Sequence, residues 1–267
     1  MSIVLKALHG KISKAKKDRK EWGTSALLFK NWGNMKINGF SIAFVKGAEY
    51  SSWADTKSEN LSWVEEGSGI IEFRNKRYRI TKGYAFKVFP GQQPVITPKG
   101  KLVIFSVQMP SRKSGKFDVV NVNRLKSKVY EYETLGKEVF TPKIKNSLGL
   151  LWFVFPIDKI PLHIHPYSDR IIRTISGKGY TFAEPNLYEM TPDSFTNFPK
   201  GTVHTNGPVP GHVYTVYAVQ IPWIESKIDE KNIGGSPKFV RYIGPTPPRK
   251  LWKTKPDFIR VIKKNSR

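Results

Sequence analysis

Moved along itself by 110 residues, the chain falls into register with its own second half. Gly67-Ser-Gly69 meets Gly177-Lys-Gly179, Tyr78 meets Tyr188, Thr81 meets Thr191 and Gly91 meets Gly201, all without a gap. After a two-residue insertion, Val107-Gln-Met-Pro110 meets Val219-Gln-Ile-Pro222. Self-similarity at one offset marks a duplicated structural unit, so whatever fold one half takes constrains the other. Between the matched glycines stand short apolar runs: Phe40 to Val45, Ile70 to Phe73, Tyr78 to Ile80, Ala85 to Phe89 and Leu102 to Gln108 in the first half. Leu148 to Phe155, Arg170 to Ile175, Gly179 to Ala183, Phe195 to Phe198 and His212 to Ile221 follow in the second. Turn residues about every eight to twelve positions between such runs indicate an all-β sandwich or barrel. Helical periodicity of useful length is scarce.

These runs predict four regions. Residues 1–34 form a basic N-terminal arm, its opening Met1 to Lys20 read as a short helix or a loosely held segment. Residues 35–115 hold the first β domain and 116–225 the second. Residues 226–267 form a basic tail with Gly234-Gly235, Pro245, Pro247 and Pro248. Its Tyr242, Leu251, Trp252, Phe258, Ile259 and Val261 predict that it packs on the barrels.

The formal net charge of +24 raises the question of a polyanionic partner. Residues 1–36 carry nine Lys/Arg against two acids, and residues 226–267 carry twelve against three, so the ends supply 16 of the 24 charges. Nucleic acid or an anionic membrane surface is therefore admitted through the ends, but no helix-turn-helix, ribonucleoprotein-type strand or zinc-finger spacing supports it. No run is long enough to span a bilayer, and the basic opening does not read as a secretory signal. There is no cysteine, so no disulfide, thiolate ligand or cysteine nucleophile is available, and a cytoplasmic setting is expected. A phosphate loop, a nucleophile elbow and a dinucleotide fingerprint are also missing.

The chemistry concentrates in two short segments, Pro161-Leu-His-Ile-His-Pro-Tyr-Ser-Asp169 and Phe198-Pro-Lys-Gly-Thr-Val-His204. On a strand, His163 and His165 at i and i+2 project from one face. His204 follows a Pro/Gly turn. With Asp169 the set offers three nitrogens and one oxygen to a divalent transition metal: Fe(II) first, with Mn, Ni, Zn or Cu as other choices. Three of the five histidines lie here.

These residues resemble the cupin superfamily in its two-domain, bicupin form. The family's first motif reads G-x5-H-x-H-x(3,4)-E-x6-G, and its second G-x5-P-x-G-x2-H-x3-N. His163-Ile-His165 supplies H-x-H and Gly177 the closing glycine, while Pro199-Lys-Gly201-Thr-Val-His204 matches P-x-G-x2-H without a gap. Counted from His165, Asp169 takes the acidic position; counted back from Gly177, that position is Arg170. A guanidinium cannot ligate a cation, and beside a metal it would recruit an anion. Ile157, Asp193 and Pro208 replace other motif positions as turn variants. In the first copy the offset sets Trp53 against His163, Asp55 against His165, Glu59 against Asp169 and Pro94 against His204. The metal-type motif is thus confined to the second copy. Trp53 and Trp63 could line a ligand site in the first copy, or simply belong to its core.

The resemblance implies two tandem jelly-roll barrels, a metal at the mouth of the second and a small-molecule substrate beside it. It implies non-haem-iron-type dioxygenase chemistry first, isomerase or lyase chemistry second, with an anionic substrate greeted by Arg170, Arg173 and Lys200. Arg170 and Arg173 face opposite ways on a strand, so at most one points inward. Tyr180, Tyr214 and Tyr217 are the hydroxyl candidates for proton donation or substrate positioning, Tyr180 and Tyr217 foremost. The alternative is a non-catalytic small-ligand-binding or regulatory bicupin whose basic ends hold nucleic acid or an acidic partner. A homodimer is compatible with either.

Overall fold

The computed structural model describes residues 8–21, 23–29, 39–46, 57–130, 134–155, 162–209, 211–233 and 241–243. It is built almost entirely of strands. In chain order these are β1 (Leu8–Lys11), β2 (Asp18–Lys20), β3 (Gly23–Phe29), β4 (Gly39–Lys46), β5 (Ser58–Phe73), β6 (Lys76–Thr81), β7 (Tyr84–Val88), β8 (Val95–Pro110) and β9 (Asp118–Asn121). There follow β10 (Lys128–Val129), β11 (Leu135–Phe140), β12 (Gly149–Phe155), β13 (His163–Ile164), β14 (Asp169–Ser176), β15 (Gly179–Ala183), β16 (Asn186–Met190), β17 (Ser194–Phe198), β18 (His204–Pro208) and β19 (Tyr214–Ile221). The chain continues through a helical turn α1 (Ser226–Asp229) to β20 (Lys231–Asn232) and β21 (Arg241–Ile243). Among the described residues no helix is long and apolar enough to cross a membrane.

The chain divides into two compact units. The N-terminal unit comprises Ser13–Leu125 and Pro142–Leu148; the C-terminal unit comprises Met1–Ile12, Lys126–Thr141 and Gly149–Arg267. In the N-terminal unit β2-β3-β4-β8-β5-β7-β9 form one sheet, and β6 also pairs with β5. β5 and β8 are each 16 residues long. Their register slips at Val64/Glu66 and Gly67/Gly69, where the paired strands bend together. Gly67 makes the bend with φ +82, and a Cβ there would meet the Lys101 carbonyl oxygen at 1.9 Å, so only glycine fits. The unit's main core gathers Val45, Val64, Ile71, Ile80, Phe86, Leu102, Ile104 and neighbours. On the other face of the sheet Trp63 stacks on Phe105, with ring centroids 5.6 Å apart, and Phe40 packs against both. Trp63 is a fully buried core residue. Trp53 lies outside the described residues.

The C-terminal unit holds two sheets, β1-β17-β14-β19-β12-β11-β10 and β20-β13-β18-β15-β16-β21. Leu151, Ile172, Phe198, Tyr214, Val216 and Ala218 from the first sheet meet Ala183, Tyr188 and Met190 from the second in one cluster, so the core lies between the sheets. That is the double-sheet arrangement of a jelly roll. Strands recur at the offset seen in the sequence: β6 and β7 match β16 and β17, and Gly67 and Gly91 match Gly177 and Gly201, all four glycines at positive φ.

The opening of the chain corrects one expectation. Leu8–Lys11 is neither helix nor loose arm; it is a strand paired antiparallel with β17. A four-residue segment carries no measurable periodicity, and its partner Thr196 is 187 residues from His9 along the chain. In the N-terminal unit the corresponding place beside β7 is taken by β9, which follows the other strands of its sheet in the chain.

Candidate metal centre

His163 leads β13 and pairs with His204, the first residue of β18; β18 in turn pairs with β15, where Ala183 faces His204. His165 follows β13 in a loop that is tied to the Pro199–Thr202 turn, because the Gly201 N–H donates to the His165 carbonyl at 2.8 Å. The sequence's two histidine segments are thus joined by backbone bonds at one end of the C-terminal core. Ring centroids lie 5.2 Å apart for His163 and His165, 4.2 Å for His163 and His204, and 5.0 Å for His165 and His204. One nitrogen from each ring lies within 4.8 Å of the others. Among the described residues this is the one group of three or more His, Asp or Glu side chains so placed.

The three rings are 7%, 6% and 1% exposed, and Phe198 packs on His204 at 4.1 Å. Burial pushes His165 well below the usual imidazole value, with the Arg170 and His163 charges adding to it and a hydrogen bond with the Asp229 backbone opposing it. Burial likewise holds His204 well below that value, helped by its two neighbouring imidazoles. Both are therefore neutral near pH 7, the form that ligates. The His204 Nδ1–H donates to the Thr202 carbonyl at 2.8 Å, which leaves Nε2 with its lone pair for an ion. A buried three-nitrogen cluster with one tautomer fixed by its own turn fits a divalent transition metal, whose Zn–N-type bonds run about 2.0–2.1 Å.

Asp169 and Arg170, adjacent on β14, point to opposite faces of the strand. Arg170 shares the core-facing side with Ile172, and its Nη2 lies 3.0 Å from His165 Nδ1. Burial lowers the guanidinium to about 10, against the pull of Asp229 and Glu230, so it stays charged. Asp169 is not in the histidine group; its Oδ1 accepts from the Lys200 backbone N–H at 2.9 Å and pins the Pro199–Thr202 turn. The Lys200 side chain is exposed.

The remaining candidates lie elsewhere. Arg173 pairs with Tyr217 across β14 and β19, on the face opposite Ile172 and Ala218. Tyr180 lies on the face of β15 opposite Ala183 and packs over Gly207, where an added Cβ would sit 2.8 Å from its hydroxyl. Tyr214 is in the core, 3.4 Å from Thr174 Oγ1, and burial raises its hydroxyl to about 12. It is six residues from Gln220, the β19 residue opposite Arg170, or about 20 Å along the strand.

One participant had no sequence signal. Asp229, at the end of α1, is fully buried. Its Oδ1 accepts from the Tyr167 N–H at 2.9 Å, and its Oδ2 accepts from Ser168 Oγ and from Gln220 Nε2 at 3.0 Å. The same Oδ2 is 3.5 Å from His165 Nδ1 and 3.6 Å from Arg170 Nη2. Sequence distance hid it: its partners Tyr167 and Ser168 are 62 and 61 residues away.

No family model matches the chain, and no characterised protein matches it by sequence. Solved structures do match. Protein Ylba from E. coli superposes with a TM-score of 0.68 at 10% identity, over 82% of this chain and 92% of Ylba. A mutant form of oxalate decarboxylase from Bacillus subtilis gives 0.67 at 8% identity, over 86% and 80%. Vicilin from hazelnut, Corylus avellana, gives 0.65 at 10%, over 85% and 88%. These proteins are of cupin type, and with the antiparallel sheets and the core between them the conclusion is one of architecture: the chain has the cupin fold, with a three-histidine cluster suited to a divalent metal in its C-terminal unit.

Proposed function

We propose that the chain is a two-domain cupin whose C-terminal unit is a metal-dependent centre acting on a small, anionic organic molecule, with His163, His165 and His204 as ligands. The observation that carries this reading is the convergence of three buried imidazoles, with no carboxylate among them. A divalent ion held by three neutral nitrogens keeps its full charge, and that charge favours an anionic ligand. The buried Arg170 guanidinium beside His165 adds to the same preference. Such an ion, when bound, supplies Lewis-acid polarisation and, in the case of Fe(II), redox chemistry with O2.

The chain's own residues supply the rest. The Gly201–His165 backbone bond and the Asp169 contact to Lys200 hold the two ligand segments together, and Phe198 walls the cluster on one side. Fe(II) and a dioxygenase reaction are the first choice. Mn(II) and a lyase reaction come second, because Bacillus subtilis oxalate decarboxylase, with the same fold, has Mn(II) centres. The N-terminal unit, with no histidine in its segments, serves as scaffold.

The test is an anaerobic load with Fe(II) or Mn(II), followed by a panel of short mono- and dicarboxylates. O2 uptake matched to substrate loss, abolished in His163→Ala, supports the dioxygenase. CO2 release without O2 uptake supports the lyase. Stoichiometric carboxylate binding with no turnover under either metal overturns catalysis and favours a ligand-binding or regulatory bicupin.

A further inference from the structure

His165 Nδ1 stands between two opposed groups. A guanidinium only donates hydrogen bonds, so the 3.0 Å contact from Arg170 makes Nδ1 an acceptor and leaves the ring proton on Nε2. That tautomer cannot ligate through Nε2. For Nε2 to carry a lone pair, Nδ1 must carry the proton and donate it, and Asp229 offers an acceptor, Oδ2, at 3.5 Å. Metal-bound histidines characteristically donate their second N–H to a carboxylate or carbonyl.

Asp229 also straps the ligand loop. Its carboxylate holds the Tyr167 N–H and the Ser168 hydroxyl, while Gln220 ties it to β19. Immediately after it, β20 pairs with β13, setting Asn232 opposite His163 and Lys231 opposite Ile164, and the Ile233 N–H donates to the Leu162 carbonyl. The segment 226–233 therefore flanks the strand carrying His163 on the side away from β18.

The geometry points to Asp229 as the positioning residue of this centre, opposed by Arg170: Asp229 holds His165 in the ligating tautomer, Arg170 holds it in the non-ligating one, and their balance sets metal affinity. This rests on the reading that the three histidines hold a metal. Arg170→Met removes the competing donor and a nearby positive charge, while Asp229 keeps three donors. Asp229→Asn removes the negative charge that offsets Arg170.

The experiment is calorimetric titration of the full chain with Zn(II), with 15N spectra of the histidine rings before and after loading. Asp229→Asn is expected to weaken binding by about 10- to 100-fold. Arg170→Met is expected to tighten it by roughly tenfold, the worth of one charge-assisted hydrogen bond. In the wild type the His165 ring proton is expected on Nε2 without metal and on Nδ1 with it. Wild type that binds Zn(II), with Asp229→Asn unchanged or Arg170→Met unchanged or weaker, overturns this inference alone. If Asp229→Asn does not fold, Arg170→Met and the wild-type spectra still decide. Wild type that binds no metal overturns the metal reading and this inference together.

Discussion

The two units share bend glycines at matched positions and differ in what they bury at others. Asp169 in the C-terminal unit corresponds to Glu59 in the N-terminal one, and Asn197 to Lys87. In the N-terminal unit Glu59 and Lys87 form an ion pair at 2.7 Å with side-chain exposures of 0% and 4%. Ser147 Oγ and the Leu148 N–H also donate to Glu59 Oε1, and Lys87 donates to Ser147 and to the Leu148 carbonyl. This unit neutralises its buried carboxylate with its own ammonium. The C-terminal unit places all five histidines of the chain in its segments, three of them at one end of the core. The bends thus follow from glycines common to both units, whereas the three-histidine cluster comes from a handful of side chains present in one.

Breaking the pair in the N-terminal unit is expected to have the largest effect. Glu59→Gln or Lys87→Met leaves one buried charge uncompensated and should cost about 3–5 kcal/mol, whereas Glu59→Leu with Lys87→Met should recover most of that loss. Urea unfolding monitored by tryptophan fluorescence checks both. A double variant as unstable as the singles would show that Glu59 and Lys87 do more than neutralise each other.

A smaller effect separates the units at β1. His9 stacks on Tyr188 at 4.7 Å, with its Nδ1 3.1 Å from Thr196 Oγ1. The matched place in the N-terminal unit holds Val119, which packs on the core. Burial, then the Lys11 charge, lowers His9 from 6.5 to about 4. The unfolded chain therefore takes up a proton there as pH falls below 6.5, while the folded chain does not. Stability is lost over the window from 6.5 to 4, by about 2–3 kcal/mol at its lower end. His9→Val should flatten the fall in urea midpoint between pH 7 and pH 4.5 by that amount; an unchanged slope would remove His9 from the account.

Much of this was legible in the sequence for a definite reason. The offset of 110 worked because bend glycines such as Gly67 and Gly177 cannot be replaced: a Cβ would strike a backbone oxygen at 1.9 and 1.7 Å. The histidine motifs were legible because i, i+2 spacing and a Pro-x-Gly turn are local signals. The facing of Asp169 and Arg170 needed only the knowledge that Ile172 points inward. Three things were hidden. Of β5 only the run Ile70 to Phe73 shows in the sequence, because Glu65 and Glu66 interrupt the strand at the bend. β1 and Asp229 act through partners far away in sequence, which no local pattern records.

The most direct test of the central claim is metal content. Wild type, His163→Ala and His204→Ala, purified without added metal and then titrated with Fe(II) and Mn(II), should give one tightly bound ion per wild-type chain and at least about 100-fold weaker binding in each variant. No stoichiometric ion in the wild type with either metal, or binding unchanged in His163→Ala, would contradict the account.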